Sequence, residues 1–156
     1  MSLPRIATPC EKRATCTLTD AIEAVVDEFS LCHDWDERYE LLIEMGNELP
    51  GLPEELQVEE NQVEGCMSTV WMVAEYHPGD PPAITIEADS DSLIVRGLIA
   101  VLLSVYSGRS PQEILGCDIH CLFERLELDK HLSTQRRNGL NAMIKRVHAL
   151  AAAHAD

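Results

Sequence analysis

Of the six cysteines at positions 10, 16, 32, 66, 117 and 121, one stands where a thiol can do chemistry. Cys66 follows a glycine in Gln62-Val63-Glu64-Gly65-Cys66-Met67-Ser68-Thr69-Val70-Trp71 and precedes an apolar run with strand-like alternation. Gly65 has no Cβ, so the backbone can turn sharply there and leave the next side chain at a loop tip. A strand starting near Ser68 would anchor that loop. Cys66 then admits three readings: a sulfur-carrying or redox thiol, a protease nucleophile, or a small apolar filler, because buried free cysteine is common and inert. Gln62, Cys66, Ser68 and Trp71 faintly echo the surroundings of a papain-like nucleophile. Those enzymes place their histidine and asparagine roughly 130–150 residues further on, whereas 90 residues follow Cys66 here. The protease reading fails on that count, and the other two stay open. The thiolate is the reactive form and cations favour it. Glu64, two residues upstream, opposes it. Activation has to come from elsewhere in the fold or from a docked partner, with Arg96 and Arg136 as the cations to consider.

A second concentration of ligating side chains is Cys117-Asp118-Ile119-His120-Cys121. At helical spacing Cys117, His120 and Cys121 share one face. With Cys32 or His33 as a further ligand they would make a zinc-binding interaction module. No paired Cys-x-x-Cys knuckle supports that set, so packed thiols are the plainer reading. Arg136 and Arg137 fall in the first turn of the predicted last helix, where a cation opposes the helix dipole. A carboxylate or a ligand is expected beside at least one of them, against the plain alternative of a solvated salt bridge.

The elements that must position these groups follow from periodicity and capping. Residues 1–16 carry two prolines and no periodicity, which reads as a flexible tail; residues 17–156 read as a single domain. Thr17 or Thr19 caps a helix whose apolar face holds Ile22, Val25, Val26 and Phe29. Asp34, with Glu37 at the capping-box position, starts a second helix that ends at Gly46 and Pro50-Gly51. Val70 to Tyr76 alternates with period two, His77 to Pro82 is a turn, and Ile84 and Ile86 return antiparallel. A short strand at Gln62 and Val63 adds a third. Ser90 caps a helix from Asp91 to about Ser107, and Ser110-Pro111-Gln112-Glu113 is a capping box opening a short one. A further short helix covers Ile119 to Leu126, and a last one runs from Ser133 to about Ala153. The expected fold is α+β: a small three-stranded antiparallel sheet with helices packed mainly on one face.

Charge bounds the partners. Twelve Lys and Arg against 27 Asp and Glu give a net charge of −15, which argues against nucleic acid or an anionic membrane as the main partner. It suits docking on a protein with basic patches. The first twenty residues lack the apolar core of a signal peptide, and no apolar run is long enough to span a bilayer. A cytoplasmic protein with reduced cysteines is expected.

Several separated motifs resemble the SufE family of sulfur-acceptor proteins in iron–sulfur cluster assembly. Gly65, Cys66, Ser68, Val70 and Trp71 match its cysteine-loop pattern. Asp89-Ser90-Asp91-Ser92 through Val95-Arg96-Gly97-Leu98 matches a second segment. Tyr106, Pro111-Gln112-Glu113-Ile114, Phe123-Glu124, Leu132-Ser133, Arg136 and Gly139-Leu140 continue the match. Upstream, Trp35, Arg38-Tyr39, Gly46 and Leu49-Pro50 look like the family's first helical pair. Together these cover about residues 18 to 150.

The resemblance implies a fold shared with IscU-type scaffold proteins. It also implies a protein that is not itself an enzyme and carries no cofactor. Such a protein docks on a pyridoxal-phosphate cysteine desulfurase of the SufS or CsdA type, takes its persulfide sulfur onto Cys66, and relays it to a SufBCD-type scaffold. Asp91, Arg136 and Glu124 match family positions and are expected to support the loop or the docking, with Asp91 and Arg136 paired across the fold. Met67 departs from the family's usual glutamine, Glu64 from a usually uncharged residue, and the tail with Cys10 and Cys16 is extra, as are Cys117 and Cys121.

Overall fold

A computed structural model of the chain describes residues 18–65 and 68–154. Thr17, Cys10, Cys16, Cys66 and Met67 therefore lie outside the described residues. Helix α1 (Leu18–Ser30) and helix α2 (Trp35–Asn47) form the first layer. Thr19 lies within α1 rather than capping it. Asp34 caps α2 by accepting from the Glu37 N–H at 2.9 Å. The reciprocal half differs from a standard capping box, because Glu37 reaches one residue further back, to the His33 N–H at 2.7 Å.

Two 3₁₀ turns, Glu54–Leu56 and Glu59–Asn61, lead into an antiparallel hairpin of β1 (Val70–His77) and β2 (Ala83–Ser90). Its register pairs Val70 with Ser90, Met72 with Ala88 and Tyr76 with Ile84. Val70, Met72, Ile84, Ile86 and Ala88 are buried on the face that joins the core. The expected third strand is reduced to a single bridge between Gln62 and Trp71 among the described residues. The reason is local. A 3₁₀ turn closes at Asn61 and the chain turns again at Glu64-Gly65, which leaves too few extended residues for a ladder.

Helix α3 (Leu93–Tyr106) is the centre of the molecule, apolar on nearly every side because α1, α2, β2 and the last helix all pack on it. Its N-cap is Ser92, whose hydroxyl accepts from the Val95 N–H, and not Ser90. Ser90 is still strand and spends its hydroxyl on the Thr69 carbonyl. After Gly108 come α4 (Pro111–Leu115), with the expected capping box at Ser110, then α5 (His120–Arg125), an unexpected α6 (Leu128–His131), and α7 (Thr134–Ala152) capped by Ser133.

The α2–α3 contact is close. A Cβ on Gly97 would collide with the Leu42 carbonyl oxygen, and one on Gly46 would stand 2.8 Å from the Gly97 nitrogen. The near approach lets Arg96, the one charged side chain of α3, donate to the Gly46 carbonyl through Nε and Nη2 at 3.2 and 3.1 Å. Its Nη1 donates to Asp89 Oδ1 at 2.7 Å. Asp89 is buried and also accepts from the Leu52 and Ser90 N–H groups. A buried carboxylate is tolerable only when paired and hydrogen-bonded in this way. The node ties α2, α3 and the end of β2 into one frame.

Candidate functional site

The segment bearing Cys66 leaves this frame at the open end of the hairpin, and both of its ends are held. On the entering side, the Val63 N–H donates to the Val70 carbonyl at 2.8 Å. Gly65 then adopts φ +93°, a left-handed backbone that L residues with a Cβ rarely take. On the leaving side, Asp91 Oδ1 accepts from the Thr69 N–H at 3.2 Å, while the Ser90 hydroxyl donates to the Thr69 carbonyl at 2.8 Å. Ser68 and Thr69 thus connect directly to a strand whose register is fixed.

Helix α7 forms the wall behind the segment. On the Gly65 side lies an open cleft of about 670 Å³ bounded by Glu64, Gly65, Asn138, Asn141, Lys145 and Arg146. Arg146 Nη1 donates to the Gln62 carbonyl at 3.3 Å across one end of it. On the Ser68 side a narrow, mainly apolar pocket is lined by Ser68, Val70, Leu98, Arg136, Leu140 and Met143. The two hollows flank the residues next to Cys66 in the chain.

The amide wall of the cleft has a support of its own. Asn141 Oδ1 lies 2.9 Å from His120 Nε2, and His120 Nδ1 lies 2.9 Å from Asp118 Oδ1. The bond to Asn141, then that to Asp118, raise the pKa of His120 against a smaller opposing effect of burial. His120 in turn lowers the pKa of Asp118.

The positions expected from sequence separate into three groups. Asp91 holds the base of the cysteine segment and Arg136 lines its flank. No ion pair joins the two among the described residues, because the Asp91 carboxylate is turned to the Thr69 backbone. Glu124 is exposed on α5, one turn beyond His120, and touches neither hollow. Arg96 is engaged by Asp89 and the Gly46 carbonyl, so it belongs to the frame.

Cys32 and Cys117 are held away from thiolate chemistry. Burial, the largest effect in each case, pushes the Cys32 and Cys117 thiols up, away from the thiolate. Among the described residues, no three His, Cys, Asp or Glu side chains are grouped to hold a metal, so Cys32, Cys117, His120 and Cys121 do not assemble the zinc set. His120 is bonded to Asp118 and Asn141, and Cys117 is buried in the core.

Sequence reasoning passed over Lys145, Arg146 and Asn141. A signal was available. Thr134-Gln-Arg-Arg-Asn-Gly-Leu-Asn-Ala-Met-Ile-Lys-Arg-Val-His-Ala-Leu-Ala-Ala, the whole of α7, contains no Asp or Glu in a chain that has 27 of them.

Comparison with known proteins bears on this arrangement. The family model SufE, described as an Fe-S metabolism associated domain, matches residues 23–151. The chain is 43% identical over 129 residues to an uncharacterized SufE-like protein of Rhizobium etli, covering 81% of this chain and 86% of that one. It is 41% identical over 133 residues to an uncharacterized SufE-like protein of Rhizobium meliloti, covering 84% and 94%. Among solved structures, the solution structure of a hypothetical protein from Thermus thermophilus superposes with a TM-score of 0.68 at 18% identity, covering 85% of this chain and 93% of that one. That last likeness is one of fold.

Proposed function

The chain belongs to the SufE family of Fe-S metabolism associated domains, and from that premise we propose that Cys66 is a sulfur carrier. In this reading the protein docks on a cysteine desulfurase of the SufS or CsdA type and accepts its sulfur as a persulfide. It passes the sulfur to a cluster scaffold of the SufBCD type. The chemistry is thiol exchange. The Cys66 thiolate attacks the terminal sulfur of the donor's persulfide, a new S–S bond forms at Cys66, and the donor's S–S bond breaks. The donor cysteine leaves as a thiolate and the transferred sulfur keeps its hydrogen, so nothing is oxidised or reduced overall. The protein is a carrier and activator without turnover of its own, working in the cytoplasm with its cysteines reduced.

The observation that carries the reading is the mounting of the segment. Residues 63 and 69, on either side of Gly65-Cys66, are hydrogen-bonded to a rigid hairpin, and cations of α7 border both flanks. This mounting presents the neighbours of Cys66, Gly65 and Ser68, beside cations of the kind that favour a thiolate. Asp91 supports the segment through Thr69, Arg136 borders it, and the exposed Glu124 is assigned to docking. The test is intact mass after incubation with a cognate desulfurase and L-cysteine. The wild type and Cys117→Ser should each gain sulfur on one residue, and Cys66→Ser should gain none. Uptake by Cys66→Ser at the wild-type level would refute the proposal.

A further inference from the structure

We propose that the cleft between Gly65 and α7 is a docking site for an acidic peptide segment of the protein that exchanges sulfur with Cys66. The inference rests on the reading above for the partner's identity, while the site itself rests on charge and geometry. The molecule carries a net charge of −15, yet α7 holds Arg136, Arg137, Lys145 and Arg146 and no carboxylate. Two cations elsewhere are paired with carboxylates inside the fold: Arg96 meets Asp89, and Arg125 meets Glu23. At the cleft the cations are not: among the described residues neither Lys145 nor Arg146 has a carboxylate within ion-pair distance, and Arg146 reaches only a backbone carbonyl. Uncompensated positive charge on an acidic protein is thus concentrated beside one loop.

The shape suits a chain segment rather than an isolated ion. From Asn138 to Arg146 the cleft follows α7 for about 12 Å at the helical rise, the reach of about four residues of extended chain. Asn138 and Asn141 offer donors and acceptors for such a backbone, and the His120 and Asp118 bonds hold the Asn141 amide in place. Glu64 on the opposite wall repels carboxylates from the loop side and directs them to Lys145 and Arg146. Complementary charge of this kind sets register and encounter rate. The net charge of the molecule disfavours the same segment on its carboxylate-rich faces.

Two measurements test the site. In the first, a hexaglutamate peptide is titrated into the ¹⁵N-labelled full chain. Amide shifts are expected at Gly65, Asn138, Asn141 and Ala142, and none with hexalysine. Shifts confined to other faces would overturn the proposal. So would equal shifts from sodium acetate at the same carboxylate concentration, which would mark a site for isolated carboxylates. In the second, the desulfurase concentration giving half-maximal loading of Cys66 is measured for Lys145→Glu/Arg146→Glu, with Lys145→Gln/Arg146→Gln as a milder pair should the reversal unfold the helix. A rise of about tenfold with unchanged final loading is expected, and no change for Lys130→Glu on α6. Normal loading with an unchanged half-saturation sinks the docking site and leaves the carrier reading standing. Absence of loading in the wild type sinks the carrier reading instead, and the peptide titration then decides the site alone.

Discussion

At the scale of single residues, His120 joins the short helix α5 to the wall of the cleft. Its folded pKa is raised, first by Asn141 and then by Asp118, so its contribution to stability is full below the ordinary histidine value near 6.5. It is lost as pH rises through the folded value. The Asp118 pKa is lowered, so that partner contributes above its ordinary carboxylate value and is lost as pH falls through its own folded one. The pair therefore contributes fully between the ordinary carboxylate and histidine values and weakens as pH rises through the folded His120 value. A ring-proton titration by NMR is expected to give His120 a midpoint above 6.5, and Asn141→Ala should move it back toward that ordinary value. An unmoved midpoint in the variant would show that the Asn141 bond is not what holds the ring.

At the scale of elements, the α2–α3 contact is the joint on which the site depends. Replacing Gly97 with alanine adds a methyl group against the Leu42 carbonyl, which is backbone and cannot turn aside. Alanine's better helix propensity, worth about 1 kcal/mol, works the other way. Overpacking should prevail, with a net loss of about 1–3 kcal/mol read from urea denaturation midpoints. A neutral or stabilising outcome would mean that the helices part without cost.

Most of this architecture was legible from sequence, because helix signals are local. The Ser110 capping box, Asp34 before α2 and Ser133 before α7 sit where side-chain chemistry requires. What escaped depended on neighbours distant in the chain. Ser90 and Ser92 are both acceptable caps by type, and only the contact of Ser90 with Thr69 decides between them. The Gln62–Val63 strand has the right residues and too little length. The motif residues Trp35, Arg38 and Tyr39 prove to clamp the chain around α5 and α6: Tyr39 donates to the His131 carbonyl at 2.7 Å, and Trp35 stacks on the His131 ring at 3.7 Å. The carboxylate-free run of α7 marked Lys145 and Arg146 as unusual, but only the folding of α7 against Gly65 makes them neighbours of the loop.

At the scale of the whole molecule, charge acts with opposite signs on folding and on docking. A net charge of −15 repels itself in the compact state, and salt screens that repulsion over a Debye length of about 10 Å at 0.1 M. The thermal midpoint should rise as sodium chloride is added from low ionic strength, measured by circular dichroism. Sulfur loading by a desulfurase should become less efficient over the same range, because attraction at the cleft is screened too. A fall in both together would argue that the acidic surface does not strain the fold.

The turn at Gly65 makes the entrance to the cysteine segment a question of handedness more than of size. An L-alanine methyl there would stand 3.3 Å from the Ala142 Cβ, a tight but adjustable approach. The obstacle is the backbone, since φ +93° is the mirror image of what L residues prefer. For a D residue the same torsion is ordinary. Glycine, having no hand, is the only encoded residue that enters this turn without strain, so the route to Cys66 runs through the one stereochemically neutral monomer the ribosome can supply.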